Sequence, residues 1–162
     1  MSVQPAEQEA PLLWVSVPVF AWLPKLPGPA LQVLFYLLGT QQQGGRIVAT
    51  HKELGEWLGM DRAHVGRALK HLEFARLVRR EKQGIYVLNP MLAGGLTPAD
   101  SKNVIDAMDP EDRLDVDDFE DRYLERVRAD EALKKQRAEE RNASPRPPAD
   151  LAAHRRRRPK LV

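Results

Sequence analysis

The sequence contains no cysteine, which excludes disulfides and thiolate metal sites and fits a reducing compartment. It has no long apolar run either: residues 12–23 are interrupted by Pro18 and are too short to span a bilayer. The first Lys or Arg is Lys25, so the start lacks the basic region that opens a secretory signal. These absences lead to the expectation of a soluble, cytoplasmic protein with no membrane partner. A glycine-rich phosphate loop, a serine elbow and a Cys/His set are all missing, so no enzyme activity, metal site or cofactor is expected. Residues 115–121 (DVDDFED) have the acidic density of a calcium loop. However, Glu120 stands where that loop needs its sixth-position glycine, and Arg126 where it needs its acidic twelfth ligand. His64 and His71 are too far apart on one helix to share a metal, about 10 Å at 1.5 Å of rise per residue. There is no internal repeat.

The 162 residues suffice for one ordinary domain with extensions, and 43% of them are hydrophobic, enough for a packed core. A net charge of +2 conceals strong segregation. Residues 62–82 hold seven Lys/Arg against two Asp/Glu, residues 106–121 hold nine acidic residues against one basic, and the last nine residues hold four Arg and a Lys. The chain is thus divided into a basic patch, an acidic belt and a basic tail.

The local signals give an order of elements. Residues 1–10 are polar and expected to be disordered, and the apolar residues 11–23 are expected to pack on the domain as an extended arm or short helix. Pro27-Gly28-Pro29 breaks the chain, with Pro29 suited to a first helical position. Leu31, Leu34 and Leu38, joined by Val33 and Leu37, make the apolar face of a helix ending at Gly39. Residues 46–49 read as a short strand. Thr50 with Glu53 forms a capping box for a helix through Leu58. Gly59 stops that helix, and Asp61 caps the next one, whose buried stripe is Val65, Leu69 and Leu72. Residues 77–80 and 85–88 read as two strands joined by the polar turn Glu81-Lys82-Gln83-Gly84. Thr97-Pro98 opens a further helix to about Met108, and Asp109-Pro110 repeats the signal. A long, exposed helix follows from 117 to about 141, with a thin apolar strip at Phe119, Tyr123 and Val127 and i,i+4 ion pairs such as Asp118–Arg122 and Asp130–Lys134. Residues 144–162 are too rich in Pro and Arg to fold alone.

The fold expected is therefore mainly α with a small β-hairpin: a winged helix-turn-helix domain over residues 11–96, a helical extension with the acidic belt over 97–143, and a disordered basic tail. The helix-turn-helix rests on spacing. Two helices crossing steeply over a short turn need a small residue at the crossing, where Gly55 sits. They also need a residue tolerant of positive φ in the turn, where Gly59 sits. Apolar anchors complete the pair, with Leu54 and Leu58 facing Val65 and Leu69. A generic helix-loop-helix in an α+β domain is the competing reading.

On this reading the second helix exposes Arg62, Ala63, His64, Arg67, Lys70 and His71, and the hairpin carries Arg79, Arg80 and Lys82. Residues near the start of a recognition helix reach base edges in the major groove. Arg67 suits guanine O6 and N7, and Ala63 a thymine methyl. Arg62 and Lys70 suit phosphates, which position without reading sequence. The partner expected is double-stranded DNA. Ordinary solvated surface charge is the alternative for each of these residues taken singly.

Residues 20–95 resemble the RepL family of plasmid replication proteins. The likeness is carried by LQVLFYLLGT (31–40), by KELGEWLGMDRAHVGRALKHLEFARLVRR (52–80) and most specifically by GIYVLNPMLAGG (84–95). The resemblance implies a winged-helix protein that initiates replication of a plasmid or related element at its origin, associated with the nucleoid or plasmid. The implied DNA contacts are the helix and hairpin residues already named. The acidic belt, the long helix and the Arg-rich tail have no counterpart in the family. Host replication proteins docking on the acidic or helical segment, and a homodimer, are further partners this reading allows. A winged-helix transcriptional regulator is the alternative function, and a scaffold whose winged helix binds protein is a third.

Overall fold

The computed structural model describes residues 15–95 and 97–143. The expected disordered start, residues 11–14 of the apolar arm, and the basic tail at 144–162 lie outside the described residues. The chain divides into two compact units, Met1–Val127 and Arg128–Val162.

The first unit begins with Val15, which makes an isolated antiparallel bridge to Ala93, and a short 3-10 helix, Val17–Trp22. Helix α1 (Gly28–Thr40) follows, with Pro29 in its first turn and Ala30, Val33, Leu34 and Leu37 buried. Strand β1 is Arg46–Val48. Helix α2 (His51–Leu58) starts at the expected capping box: the Thr50 hydroxyl accepts from the Glu53 N–H, and the Thr50 N–H donates to the Glu53 carboxylate. It ends at Gly59 in the left-handed region, φ +64°. Helix α3 (Arg62–Phe74) is capped by the Asp61 carboxylate, which accepts from the His64 N–H at 2.8 Å.

Gly55 is the pivot of the α2–α3 crossing. A Cβ there would stand 2.5 Å from the Met60 carbonyl oxygen and 3.8 Å from a Val65 methyl. Any side chain would push the turn off α2. The α3 stripe of Val65, Leu69 and Leu72 is buried as the periodicity predicts, with Ala68 added. These side chains share one core with Leu34, Leu37, Leu54, Leu77 and Leu88.

The hairpin is longer than the sequence suggests. Strand β2 is Val78–Lys82 and β3 is Ile85–Leu88, leaving only Gln83 and Gly84 in the turn. A bulge between Arg80 and Lys82 absorbs Glu81 and lets Lys82 pair with Ile85, as an extra residue in one strand does. Gly84 takes φ +74°. Strand β1 pairs antiparallel with β3, so the wing is a three-stranded sheet in the order β1-β3-β2.

After β3 the chain is fixed by Asn89, one of two buried polar residues among those described. Its Nδ2 donates to the Arg76 and Asp112 carbonyls, and its Oδ1 accepts from the Met91 N–H. Helix α4 (Pro98–Asp106) starts at the expected Thr97 cap, whose hydroxyl accepts from the Asp100 N–H. The acidic belt then folds onto the same unit, with Leu114 buried and Arg113 paired to Asp115 at 2.7 Å.

Helix α5 is Phe119–Ala143. Its opening turns are not the exposed segment that composition suggests, because Phe119 and Tyr123 are buried in the core and Val127 is half-buried against it. The apolar strip is narrow, yet two aromatic rings suffice to bury it. In the second unit, residues 128–143 continue as helix, with Lys134 and Asp130 paired at 2.7 Å. No helix among the described residues is long and apolar enough to cross a membrane.

Candidate nucleic-acid interface

The first two turns of α3 carry Arg62, Ala63, His64 and Arg67, all exposed. Their common exposure follows from the stripe that faces the core: with Val65, Ala68, Leu69 and Leu72 inward, positions 63, 64 and 67 must face away. His64 is held by its neighbour, since its Nδ1 bonds the Asp61 carboxylate that also caps the helix. That bond helps hold the Asp61 carboxyl below its usual range, the backbone N–H of His64 being the largest cause.

The third turn is different. Lys70 lies over the Phe74 ring, 5.5 Å from its centroid. His71 is half-buried, with Nδ1 2.8 Å from the Tyr123 hydroxyl of α5. Next to it the Arg126 guanidinium donates to the Phe74 carbonyl at 2.8 Å. His71 therefore takes part in the junction of α3 with α5, while Lys70 lies along α3 itself.

The three hairpin cations also separate. Pairing places Ile47, Tyr86 and Arg80 in one row of the sheet and Arg46, Val87 and Arg79 in the next. Ile47 and Tyr86 face the core, so the Arg80 side chain leaves the strand on the α2–α3 side. Arg79 and Lys82, which pair with Val87 and Ile85, lie on the opposite face of the pleat. Arg79 lines a cleft of about 370 Å³ along the β2 edge, closed by Arg76, Asp109 and Asp112. Arg76 and Asp112 approach to 3.6 Å across it. The basic patch of the sequence is thus not one continuous face.

The structure adds two residues that sequence reading passes over. A notch of about 350 Å³ lies between α2, α3 and the wing turn, lined by His51, Lys52, Arg62, Arg80 and Gly84 among others. The turn is tied there by the Ala49 N–H, which donates to the Gly84 carbonyl at 2.9 Å. His51 sits at the back of the notch, its Nε2 2.9 Å from the Tyr86 hydroxyl. Gly66 of α3 stands behind the ring, a Cβ there lying in ordinary contact at 3.7 Å. Partial burial lowers the basicity of His51, and the charges of Arg80 and Arg62 lower it further. Burial likewise raises the Tyr86 hydroxyl above its ordinary range. The only sequence sign of this site is the pair His51-Lys52 at the start of a capped helix, which by itself points nowhere.

The arrangement consists of a helix start with exposed polar side chains, a basic notch beside it, and a wing that closes one end of the notch. Among the described residues no group of His, Asp or Glu is placed to hold a metal ion. Neither the curated proteins nor the solved structures contain a match to the chain. Residues 31–92, from the first helix through the sheet, match the model of the Crp-like helix-turn-helix domain, so that segment is similar to a winged helix-turn-helix of this type.

Proposed function

We propose that the chain binds double-stranded DNA in a sequence-specific way, with the start of α3 in the major groove and the wing against the backbone. The observation that carries this reading is the exposed set Arg62, Ala63, His64 and Arg67 on the first two turns of a helix whose other face is buried. That is the geometry in which side chains reach base edges. Lys52, Arg62 and Arg80 around the notch are the phosphate-facing groups, which fix register but do not read sequence. The Crp-like domain match favours a regulator that acts at an operator. The chain is sequence-reading but not catalytic on this view.

A second reading is replication initiation at a plasmid origin, favoured by the run from Gly84 to Gly95 (GIYVLNPMLAGG). In that case the acidic stretch between Asp106 and Asp121 is the surface for a host replication protein. Selection of bound fragments from the native replicon, read by sequencing, tests both readings. Enrichment of a single motif is expected. A motif repeated beside the gene supports the origin reading, and one overlapping a promoter supports the operator reading. Recovery of fragments with no shared motif would sink sequence-specific binding.

A further inference from the structure

We propose that the notch between His51, Arg62 and Arg80 is a phosphodiester-binding subsite in which His51 takes up a proton as the phosphate arrives, so that DNA binding tightens as pH falls. The inference rests on the DNA-binding reading above and deepens it.

Three elements converge on the imidazole. From α2 itself, Lys52 stands beside it, paired to Glu56 at 3.7 Å on the exposed side. From α3, Arg62 lines the notch and Gly66 backs the ring. From the sheet come Arg80 of β2 and the Tyr86 hydroxyl of β3, the latter 2.9 Å from Nε2. The charges that act on the ring are those of Arg80 and Arg62; Glu73 acts on the Tyr86 hydroxyl instead, and Glu56 lines the adjoining surface together with His51, Lys52 and Arg62. Glu53 is occupied by the Thr50 cap. In the free protein, then, the imidazole is partly buried and faces cations.

Those conditions disfavour the imidazolium, and they hold His51 below its ordinary 6.5. A phosphate in the notch leaves the burial, the larger cause, in place but opposes the cationic fields. It brings a negative charge to within reach of the ring and offsets the fields of Arg62 and Arg80. The imidazolium can then donate from Nε2 to Tyr86 and from Nδ1 to the phosphate; the neutral ring can also make two bonds, accepting from Tyr86 at Nε2, but its bond to the phosphate lacks the added charge that strengthens it. No chemical step is involved: one proton moves from solvent to His51 as the ion pair forms.

Linkage fixes the sign. Because the complex binds the proton more tightly than the free protein does, affinity rises as pH falls through the value His51 has in the complex. It levels off below the value His51 has in the free protein, which lies under 6.5. Each unit of difference between the two is about tenfold in affinity.

The test uses the full chain and a short fluorescein-labelled duplex of random sequence, since phosphates are the same in any sequence. Anisotropy titrations are run from about pH 5.5 to about pH 8 at constant ionic strength, across the range where a histidine changes charge. The expected result is an affinity about three- to tenfold higher at the acid end, and loss of most of that dependence in His51→Gln. In parallel, the His51 imidazole is titrated by NMR in the wild-type chain with and without duplex, which needs no variant to fold. An upward displacement of its titration in the complex is expected. Binding that is flat with pH, a dependence unchanged in His51→Gln, or an imidazole unmoved by DNA would each overturn the subsite while leaving DNA binding intact. No binding at any pH at low salt would overturn the DNA-binding reading and the subsite with it.

Discussion

Gly55 and Gly59 stand one helical turn apart and are constrained for different reasons. Gly55 has no room for a Cβ, because the Met60 carbonyl oxygen occupies the place at 2.5 Å. Gly59 has open space around it but a φ of +64°, which L residues other than Asn and Asp rarely adopt. Substitution should separate the two. Gly59→Val should cost roughly 1–3 kcal/mol from backbone strain, and Gly59→Asn should recover most of it. Gly55→Ala should cost about 1–3 kcal/mol from overpacking, and Asn at that position should be worse. Thermal melting of the four variants decides this, and full recovery by Gly55→Asn would mean that the crossing is not where it is drawn. Both glycines are legible in the sequence because caps bracket them on either side. The reading role of Arg67 is a bolder claim. Arg67→Ala should cost about 1–3 kcal/mol on a selected site and much less on random DNA, with an unchanged melting temperature. Equal losses on both duplexes would move the reader to His64 or Ala63. His51 was illegible for a plain reason: its partner Tyr86 is 35 positions away, and nothing in local periodicity connects a first-turn helix residue to a strand that far on.

At the scale of elements, the helices α2 and α3 follow from local chemistry alone, since Thr50, Glu53, Gly59 and Asp61 mark their ends. The wing does not. A sequence reader stops β2 at Arg80 because Glu81-Lys82-Gln83-Gly84 looks like a four-residue turn; only pairing reveals that Glu81 is a bulge and that Lys82 is still in the ladder. The bulge matters to the surface, because it moves Lys82, which plain alternation would put on the face of Arg80, onto the face of Arg79. The connection from the wing to the acidic belt depends on Asn89. Its side chain satisfies the Arg76 carbonyl at the end of α3, where φ is +56°, the Asp112 carbonyl in the belt, and the Met91 N–H. Asn89→Leu keeps the branched outline with somewhat bulkier branches and orphans all three groups. The expected loss is about 3 kcal/mol or more, at about 1–3 kcal/mol for each buried group left unpaired. A urea melt measures it. A midpoint that does not move would mean that the belt is held by Leu114 and the Arg76–Asp112 pair, not by the amide. Tyr123 gives a milder case: Tyr123→Phe keeps the buried ring and removes only the hydroxyl near His71, so it should cost about 1 kcal/mol.

At the scale of the whole molecule, the separation of charge predicts how binding responds to salt. Arg76 and Arg79 face the carboxylates of the belt and are poorly placed for DNA. Lys52, Arg62, Arg67 and Arg80 remain on the side of α3 and the notch. With one of these reading bases and a contact from the wing tip at Lys82, about four phosphates are engaged. The slope of log K against log salt should then be near −3.6, at about −0.9 per phosphate. The tail lies outside the described residues, but its sequence carries four consecutive arginines, Arg155 to Arg158, which can add only phosphate contacts. A chain ending at residue 143 should therefore melt as the full chain does, since residues 144–162 carry few core-forming side chains beside their prolines and arginines. It should bind selected and random duplexes more weakly by the same factor, with a shallower salt slope. The ratio of the two affinities should not change, because contacts to the backbone position a protein without informing it. Anisotropy on both duplexes across a salt series gives slope and ratio together. If the truncated chain loses affinity only for the selected duplex, then the tail is a reader of sequence, and the division between a reading helix and positioning cations is drawn in the wrong place.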